Sequence, residues 1–155
     1  MKKYLSFLFA GLLAFVLAAP LATAQVTPRN LITLTLSTST ATANTTTTIT
    51  SDAFTIKPGS GFAVVPSFKL ASTGTENITF NFAVSVDGTV WTTTRPFTYA
   101  EAANGTADVI GFKNFAAPVT GAGADNILYV RLVSVTNASA AQACTINYIK
   151  ITRNN

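Results

Sequence analysis

The chain has 155 residues, of which 48% are hydrophobic and only 10% are charged. This length fits one ordinary domain, and the composition excludes intrinsic disorder, which needs low hydrophobicity and high net charge. The net charge of +4 falls to +2 when Lys2 and Lys3 are set aside, and the other basic residues are scattered singly. Because nucleic-acid binding requires clustered basic residues, we expect no nucleic-acid partner.

Residues 1–24 have the three parts of a secretory signal peptide. Lys2 and Lys3 precede an apolar run from Leu5 to Ala19, and Ala22-Thr23-Ala24 supplies the small residues that a signal peptidase reads. The apolar run is too short to span a bilayer comfortably. The sequence therefore predicts cleavage after Ala24 and a secreted, periplasmic or cell-surface product of bacterial type, with no membrane span in the mature form.

The first part of the mature chain, residues 25–50, predicts a threonine-rich N-terminal strand or arm. Apolar and polar residues alternate from Leu31 to Leu36, as in a half-buried strand. Residues 37–50 are low in complexity, with an unbroken threonine run at 45–48, and fit either a flexible link or an edge strand. Since uncharged edge strands are templates for pairing with another chain, we expect this arm to be the segment exchanged in any self-association.

Residues 51–155 predict a β-sandwich core, and residues 25–155 together one domain. Phe54 to Ile56 reads as a short strand and Phe62 to Leu70 as a longer one, in which Pro66 indicates an edge position or a bulge. Ile78 to Val86 alternates most clearly, with five large apolar side chains on one face. Asp87-Gly88 then predicts a tight hairpin turn and a returning strand over Thr89 to Thr94.

Residues 97–99 are expected to continue the 89–94 strand beyond the break at Arg95-Pro96, and the remaining strands are predicted at 105–112, 127–135 and 144–152. Residues 127–135 are apolar on both faces, as in a central strand, and a bulge is expected near Asn147-Tyr148. Residues 116–126 form a predicted loop. No segment has a helical period, so the sequence predicts an all-β fold, a single antiparallel β-sandwich or jelly roll of about eight strands.

Catalytic and metal-binding residue sets are missing from the sequence. There is no histidine and one cysteine, which excludes Ser-His-Asp and Cys-His catalysis and zinc sites built from histidine or several thiolates. Cys144 lies in an apolar strand pattern, so burial is favoured over a reactive or intermolecular thiol. We predict no metal site and no cofactor, and leave open whether Asp125 and Asn126 in the 116–126 loop bind calcium.

The acidic residues do not form an obvious catalytic pair. A glycosidase needs two carboxylates facing each other across the scissile bond. None is paired in the sequence, and most lie beside turn signals, where aspartate forms local hydrogen bonds. We therefore expect no enzyme activity and keep a small glycoside-active enzyme as the least favoured alternative. The six residues are Asp52, Glu76, Asp87, Glu101, Asp108 and Asp125.

Aromatic side chains are the other candidates for a binding site. Exposed planar rings stack on sugars, so Trp91, Tyr99, Tyr129 and Tyr148 are candidate ligand-binding residues. Trp91 follows the predicted hairpin turn, where an exposed platform would fit. The competing interpretation, which the sequence favours, packs Trp91 in the core opposite the apolar face of the 78–86 strand.

The segment from Ser67 to Arg153 resembles small β-sandwich modules of bacterial and bacteriophage structural proteins. The resemblance rests on Phe82–Trp91, with its Asp-Gly turn, on the Tyr-Val-Arg-Leu strand at 129–132 and on Ile146–Arg153. It implies a role as a fibre, decoration or adhesion part, and it carries over no catalytic residue. A signal peptide departs from ordinary virion proteins, which remain in the cytoplasm.

The favoured function is an exported, non-enzymatic structural or adhesive module. Its expected partners are either further copies of itself, through edge strands, or surface glycans and proteins. A carbohydrate-binding module that uses the aromatic residues above is the alternative.

Overall fold

The computed structural model describes residues 31–57, 60–116 and 128–153. The predicted signal peptide and the loop with Asp125 and Asn126 lie outside these ranges. All regular elements within the ranges are strands: β1 (Leu31–Thr33), β2 (Thr40–Ala41), β3 (Thr45–Thr48), β4 (Phe54–Ile56), β5 (Phe62–Leu70), β6 (Asn77–Ser85), β7 (Phe97–Ala102), β8 (Val109–Ile110), β9 (Lys113–Phe115), β10 (Leu128–Asn137) and β11 (Cys144–Arg153). The same ranges hold no helix of the length and hydrophobicity that a membrane crossing requires.

The strands form two antiparallel sheets. Sheet 1 has the order β1-β11-β5-β8, with β2 also beside β11 and β9 also beside β5. Sheet 2 has the order β3-β10-β6-β7, with β4 also beside β10. β2 continues β1 along β11, β9 continues β8 along β5, and β4 continues β3 along β10. Each sheet therefore has four strand positions. This order is that of a jelly roll, and the prediction of an all-β sandwich is confirmed.

The core lies between the sheets, and phenylalanine rings from both sheets meet in it. Phe62 of sheet 1 contacts three rings of sheet 2: its centroid is 5.2 Å from Phe54, 6.3 Å from Phe82 and 5.0 Å from Phe97, all edge to face. Such pairs add about 0.5–1.5 kcal/mol to the burial of the rings. Cys144 is buried in this core, as predicted, and burial raises the pKa of its thiol to about 12.

The two longest strands of sheet 1 follow the sequence prediction closely. β5 has the predicted bounds, and the register of β11 shifts between Ile146 and Tyr148, which confirms the predicted bulge. Pro66 faces Ile149 of β11 but belongs to neither of the β5 segments that pair with β8 and β9. β5 lies inside the sheet, where a proline would normally leave a hydrogen bond of the ladder unmade. Here the pairing of β5 with β8 and β9 leaves Pro66 out, so its missing N–H is not needed on that side.

The threonine-rich segment is divided between the two sheets. β2 pairs with β11 and β3 pairs with β10, with Asn44 at φ 49° in the turn that joins them. β3 is an edge strand, one of the two options left open by the sequence. Leu34, Ala41 and Ile49 are buried in the core, so this segment contributes directly to the packing of the sandwich.

Two predicted strands differ in the structure. β6 ends at Ser85, Val86 is 67% exposed, and no strand forms over residues 89–94. The strand predicted at 105–112 is reduced to β8, because its first residues form a turn in which the N–H of Ala107 donates to Asn104 O at 3.1 Å. Gly105 in this turn is held by the preceding loop: its N–H donates to Gly74 O at 2.7 Å, and its carbonyl accepts the N–H of Leu70 at 2.9 Å. The short strand β9 follows, which the sequence pattern did not indicate.

Candidate functional site

The loop between β6 and β7, residues 86–96, does not form the predicted two-residue hairpin. The Asp87 carboxylate accepts hydrogen bonds from the backbone N–H groups of Thr89 at 2.8 Å and Val90 at 2.9 Å, and from the Ser85 hydroxyl at 2.8 Å. The Ser85 oxygen in turn accepts from the N–H of Gly88 at 2.9 Å. These side chains replace the ladder bonds of a hairpin, so the chain coils into a compact loop.

The same hydrogen bonds stabilise the charged form of Asp87. Backbone N–H donors at Thr89 and Val90 hold the pKa of this carboxyl well below its usual value. After residues 85–90, the N–H of Thr92 donates to Val84 O at 2.9 Å. This is a backbone hydrogen bond between the two segments that were predicted to pair as a hairpin.

The loop covers one end of the outer face of sheet 2. Alternation from the buried Phe82 places Ala83 and Ser85 on the outer face, yet Ala83 is 0% exposed and Ser85 only 3%. Gly88, at φ +76°, lies against Tyr129: a Cβ built on it would be 3.6 Å from ring atoms of the tyrosine. This is an ordinary contact distance, so the preference for glycine comes from the positive φ, which other residues adopt only with strain.

Trp91 lies on this outer face and not in the core, which corrects the interpretation favoured from the sequence. Its ring lies over the guanidinium carbon of Arg131, 4.0 Å from the ring centroid. Arg131 pairs with Ala83 across β10 and β6, and Tyr129 is its neighbour on the same face of β10. The core position opposite β6 is filled instead by phenylalanines, of which Phe62 and Phe68 contact Phe82 and Phe80. We call Gly88, Trp91, Tyr129 and Arg131 the Trp91 cluster.

A shallow depression of about 210 Å³ opens beside the Trp91 cluster. Two of its lining residues are strongly exposed apolar side chains, Val86 at 67% and Val90 at 74%. Exposed apolar side chains grouped around an indole indicate an interaction site more than a folding requirement. The lining residues are Val84, Ser85, Val86, Val90, Trp91 and Thr92.

The four aromatic residues predicted as one site occupy three places. Trp91 and Tyr129 share the outer face of sheet 2. Tyr99 is only 6% exposed and packs in the core against Phe80, with centroids 6.3 Å apart. Tyr148 lies on sheet 1, where the ammonium nitrogen of Lys150 is 4.5 Å from its ring centroid.

Tyr99 has a structural role at the edge of the core. Its hydroxyl donates to the Glu101 carboxylate and accepts the N–H of Phe112 at 2.8 Å. Burial, followed by the neighbouring Glu101 carboxylate, raises the pKa of Tyr99 to about 12. Because the side chain is buried and its hydroxyl is bonded within the protein, Tyr99 is not accessible to a ligand.

Next to the Trp91 cluster, the outer face of sheet 2 bears polar side chains in two rows, which the sequence analysis did not identify. Register sets Thr46 of β3 beside Thr136 of β10, and Thr136 beside Thr79 of β6. In the second row Ser134 lies between Thr48 and Asn81, and Thr98 of β7 lies beside Asn81. We call these seven residues the polar strip. Its signal was the polar-x-polar spacing at 46/48, 79/81 and 134/136, which becomes informative only once these strands are known to be neighbours.

Three of the carboxylates that the structure describes form local contacts. Asp87 stabilises the loop, Glu101 accepts from Tyr99, and Asp108 accepts the Asn147 amide at 2.8 Å. Within residues 31–57, 60–116 and 128–153, no three histidine, cysteine or acidic residues are close enough together to hold a metal ion. The candidate calcium residue Asp125 falls outside those ranges.

Fold and site together define a jelly-roll sandwich with a depression, lined by an indole, at the end of β6. No family model matches the chain, and no curated protein matches it. A solved structure described as "CBM4 structure and function" is similar over 80% of this chain and 91% of that chain, with 14% sequence identity and a TM-score of 0.36. A likeness at this level assigns no ligand to the present chain.

Proposed function

We propose that this chain is a non-catalytic binding module whose ligand is a carbohydrate held at the Trp91 cluster. The observation that carries the proposal is the position of Trp91: the single tryptophan of the chain lies outside the core and lines a depression with the exposed Val86 and Val90. A large aromatic residue that is not needed for core packing and lies beside exposed apolar residues is typical of a binding surface.

The chemistry of the cluster suits a sugar ring. The C–H groups on one face of a sugar pack on the flat, electron-rich surface of an indole, while its hydroxyls require polar neighbours. Arg131 stacks on Trp91 at 4.0 Å and limits the rotation of the ring, so less side-chain entropy is lost on binding. Thr92 is exposed at the same depression, and its hydroxyl, which donates to Thr94 O and accepts the N–H of Val84, keeps one acceptor site for a ligand.

The absence of catalysis is part of the proposal. The chain has no histidine, and the carboxylates of Glu101 and Asp108 are engaged by Tyr99 and Asn147. A glycosidase requires two carboxyl groups poised on opposite sides of a glycosidic bond. The surroundings of the depression supply a stacking surface instead, which is what a binding module needs.

The direct test is Trp91→Ala in the mature chain, compared with wild type on a glycan array and then by calorimetry with the sugars that bind. We expect at least tenfold weaker binding, because the stacking surface is lost, with the β-sheet circular dichroism unchanged. Tyr148→Ala removes a partly exposed ring from sheet 1 and is the matched control, expected to leave binding intact. Equal binding by wild type and Trp91→Ala would refute the proposal.

A second candidate function, self-association in a fibre or adhesive layer, is supported by the edge strand β3. Its four residues are all threonine, and β10 is the strand it pairs with in the described part of the chain.

Deleting the arm would remove the buried Leu34 and Ile49, so a substitution is the cleaner test. Thr45→Lys should convert oligomers to monomers in light scattering, because edge lysines oppose strand pairing. Thr75→Lys, in an exposed loop, is the control; a monomeric wild type would refute this candidate.

Both candidates place the protein outside the cytoplasm, and we infer export through residues 1–24. The mature chain recovered from an expressing bacterium should begin at Gln25. Intact-mass spectrometry of the exported fraction tests this, and a full-length chain with Lys2 and Lys3 retained would contradict it.

A further inference from the structure

We infer that the ligand of the Trp91 cluster is an extended, neutral oligosaccharide that continues from the indole along β10 over the polar strip. This inference rests on the proposed function and specifies its ligand. The strip is aligned with the cluster, is hydrogen-bonded within itself and is uncharged.

The strip and the cluster form one continuous surface. Arg131 and Ser134 follow one another on the outer face of β10, and they pair with Ala83 and Asn81 of β6. The register shift between Leu132 and Ser134 keeps both side chains on that face despite the odd spacing. From Arg131 to Thr136 the strand rises about 16 Å, at roughly 3.3 Å per residue, which is longer than a single sugar ring.

The strip has the regular spacing of a sheet. Neighbouring strands place side chains about 4.8 Å apart, and residues two apart on one strand are separated by about 6.7 Å. Polar groups repeated at such intervals match a ligand that itself repeats hydroxyls along a chain. A compact ligand would contact only one row.

Hydrogen bonds within the strip hold it in place. The Thr46 and Thr136 hydroxyls are 2.8 Å apart, and the Asn81 amide nitrogen donates to Ser134 at 3.3 Å and to Thr136 at 3.4 Å. Each hydroxyl can donate once and accept twice, so these contacts leave capacity for a ligand. Ser134, at 3% exposure, supports the strip from below, while Thr46, Thr48 and Thr98 are exposed.

The composition of the strip selects a neutral ligand. Its residues are threonine, serine and asparagine, which donate and accept hydrogen bonds without charge. The charged Arg131 lies at the end of the strip, stacked on Trp91, and its Nε atom is buried without a hydrogen-bond partner. An uncharged chain gains hydrogen bonds here without the cost of desolvating an ion.

The experiment measures affinity against ligand length. Wild type is titrated by calorimetry with cello-, xylo-, manno- and chito-oligosaccharides, from monosaccharide to hexasaccharide. We expect affinity to rise at least tenfold from disaccharide to hexasaccharide. The double variant Asn81→Ala with Thr136→Val should lose that gain and bind the disaccharide as wild type does. Thr145→Val with Thr152→Val, on β11 of sheet 1, is the matched control.

The outcomes separate the two proposals. If Trp91→Ala abolishes binding but wild type binds disaccharide and hexasaccharide equally well, the extended ligand is wrong and the proposed function stands. If the strip variant loses disaccharide and hexasaccharide affinity equally, the strip does not hold the distal part of a chain, which also overturns this inference. If no member of the panel binds wild type, this inference is wrong, and the glycan array decides the proposed function. If Trp91→Ala binds as wild type does, the proposed function fails and this inference fails with it. Thermal unfolding of each variant confirms that it is folded.

Discussion

The two faces of sheet 2 are made from alternate residues of the same strands but follow different rules. On β6 the inner face has Ile78, Phe80 and Phe82, all fully buried, whereas the outer face has Thr79 and Asn81. The inner face is determined by burial, so any large apolar residue of suitable volume would serve. The outer face is determined by which strands are neighbours and by the loop that covers one end of it. The periodicity that locates the core therefore says little about the function of the opposite face of the sheet.

The largest expected effect is a loss of stability on the inner face of β6, measured against a substitution of the adjacent residue on the outer face. Phe82→Ala removes a ring that packs 6.3 Å from Phe62 and 6.4 Å from Phe115, and should lower the free energy of unfolding by about 3–5 kcal/mol. Asn81→Ala, one residue earlier, should cost less than about 1 kcal/mol, because its bonds are made at a partly exposed surface. Urea unfolding followed by circular dichroism measures both. Equal losses would mean that the outer face is as structural as the inner one.

A smaller effect is expected at the boundary of the inner face. Tyr99→Phe deletes the hydroxyl that accepts the N–H of Phe112, and should cost about 1–2 kcal/mol below pH 10. Because the folded protein raises the pKa of Tyr99 from 10.0 to about 12, the unfolded chain ionises first. The advantage of wild type over the variant is therefore present below pH 10 and lost as pH rises to about 12.

Urea unfolding of wild type and of Tyr99→Phe, at neutral pH and at several alkaline pH values, measures the difference in their free energies of unfolding. Absorbance of tyrosinate in the folded protein should show one residue that ionises later than the others. A constant difference between wild type and variant through the alkaline range would contradict the assignment.

The smallest effect is expected in the loop of the outer face. Asp87→Asn weakens the acceptor that organises Thr89 and Val90, so the urea midpoint should fall slightly at neutral pH. Because folding lowers the pKa of Asp87 from 3.8, this contribution is present above pH 3.8 and is lost as pH falls below it. Wild type and variant should therefore converge in acid. Asp52→Asn, an exposed aspartate outside the loop, is the control, and a difference that persists in strong acid would show that charge is not the cause.

Several parts of the fold could be predicted because they depend on local pattern. Short apolar runs between turn residues identified β4, β5, β10 and β11, including the bulge near Asn147, since a strand that contributes to the core must carry apolar residues over its length. Alternation with period two identified the inner face of β6. Alternation also failed where side chains compete with the backbone: Ser85 and Asp87 bind the N–H groups that a hairpin ladder would have used.

The candidate site was predicted only in part. Trp91 and Tyr129 were recognised as ring-bearing candidates, but Tyr99 and Tyr148 lie elsewhere, because residue type does not reveal which sheet face a ring occupies. Arg131 and the polar strip were missed. Their partners are distant in sequence, as with Thr46 and Thr136, whose hydroxyls are 2.8 Å apart.

The sequence by itself determined the strand content, the absence of a catalytic histidine and the identity of most core residues, since these follow from composition and from burial with period two. Only the tertiary structure decided that Trp91 stacks on Arg131 outside the core and that polar side chains from four strands form one surface. The physical reason is that burial acts on each residue separately, whereas a site depends on the pairing of strands far apart in the chain. That pairing is fixed by the packing of the whole sandwich.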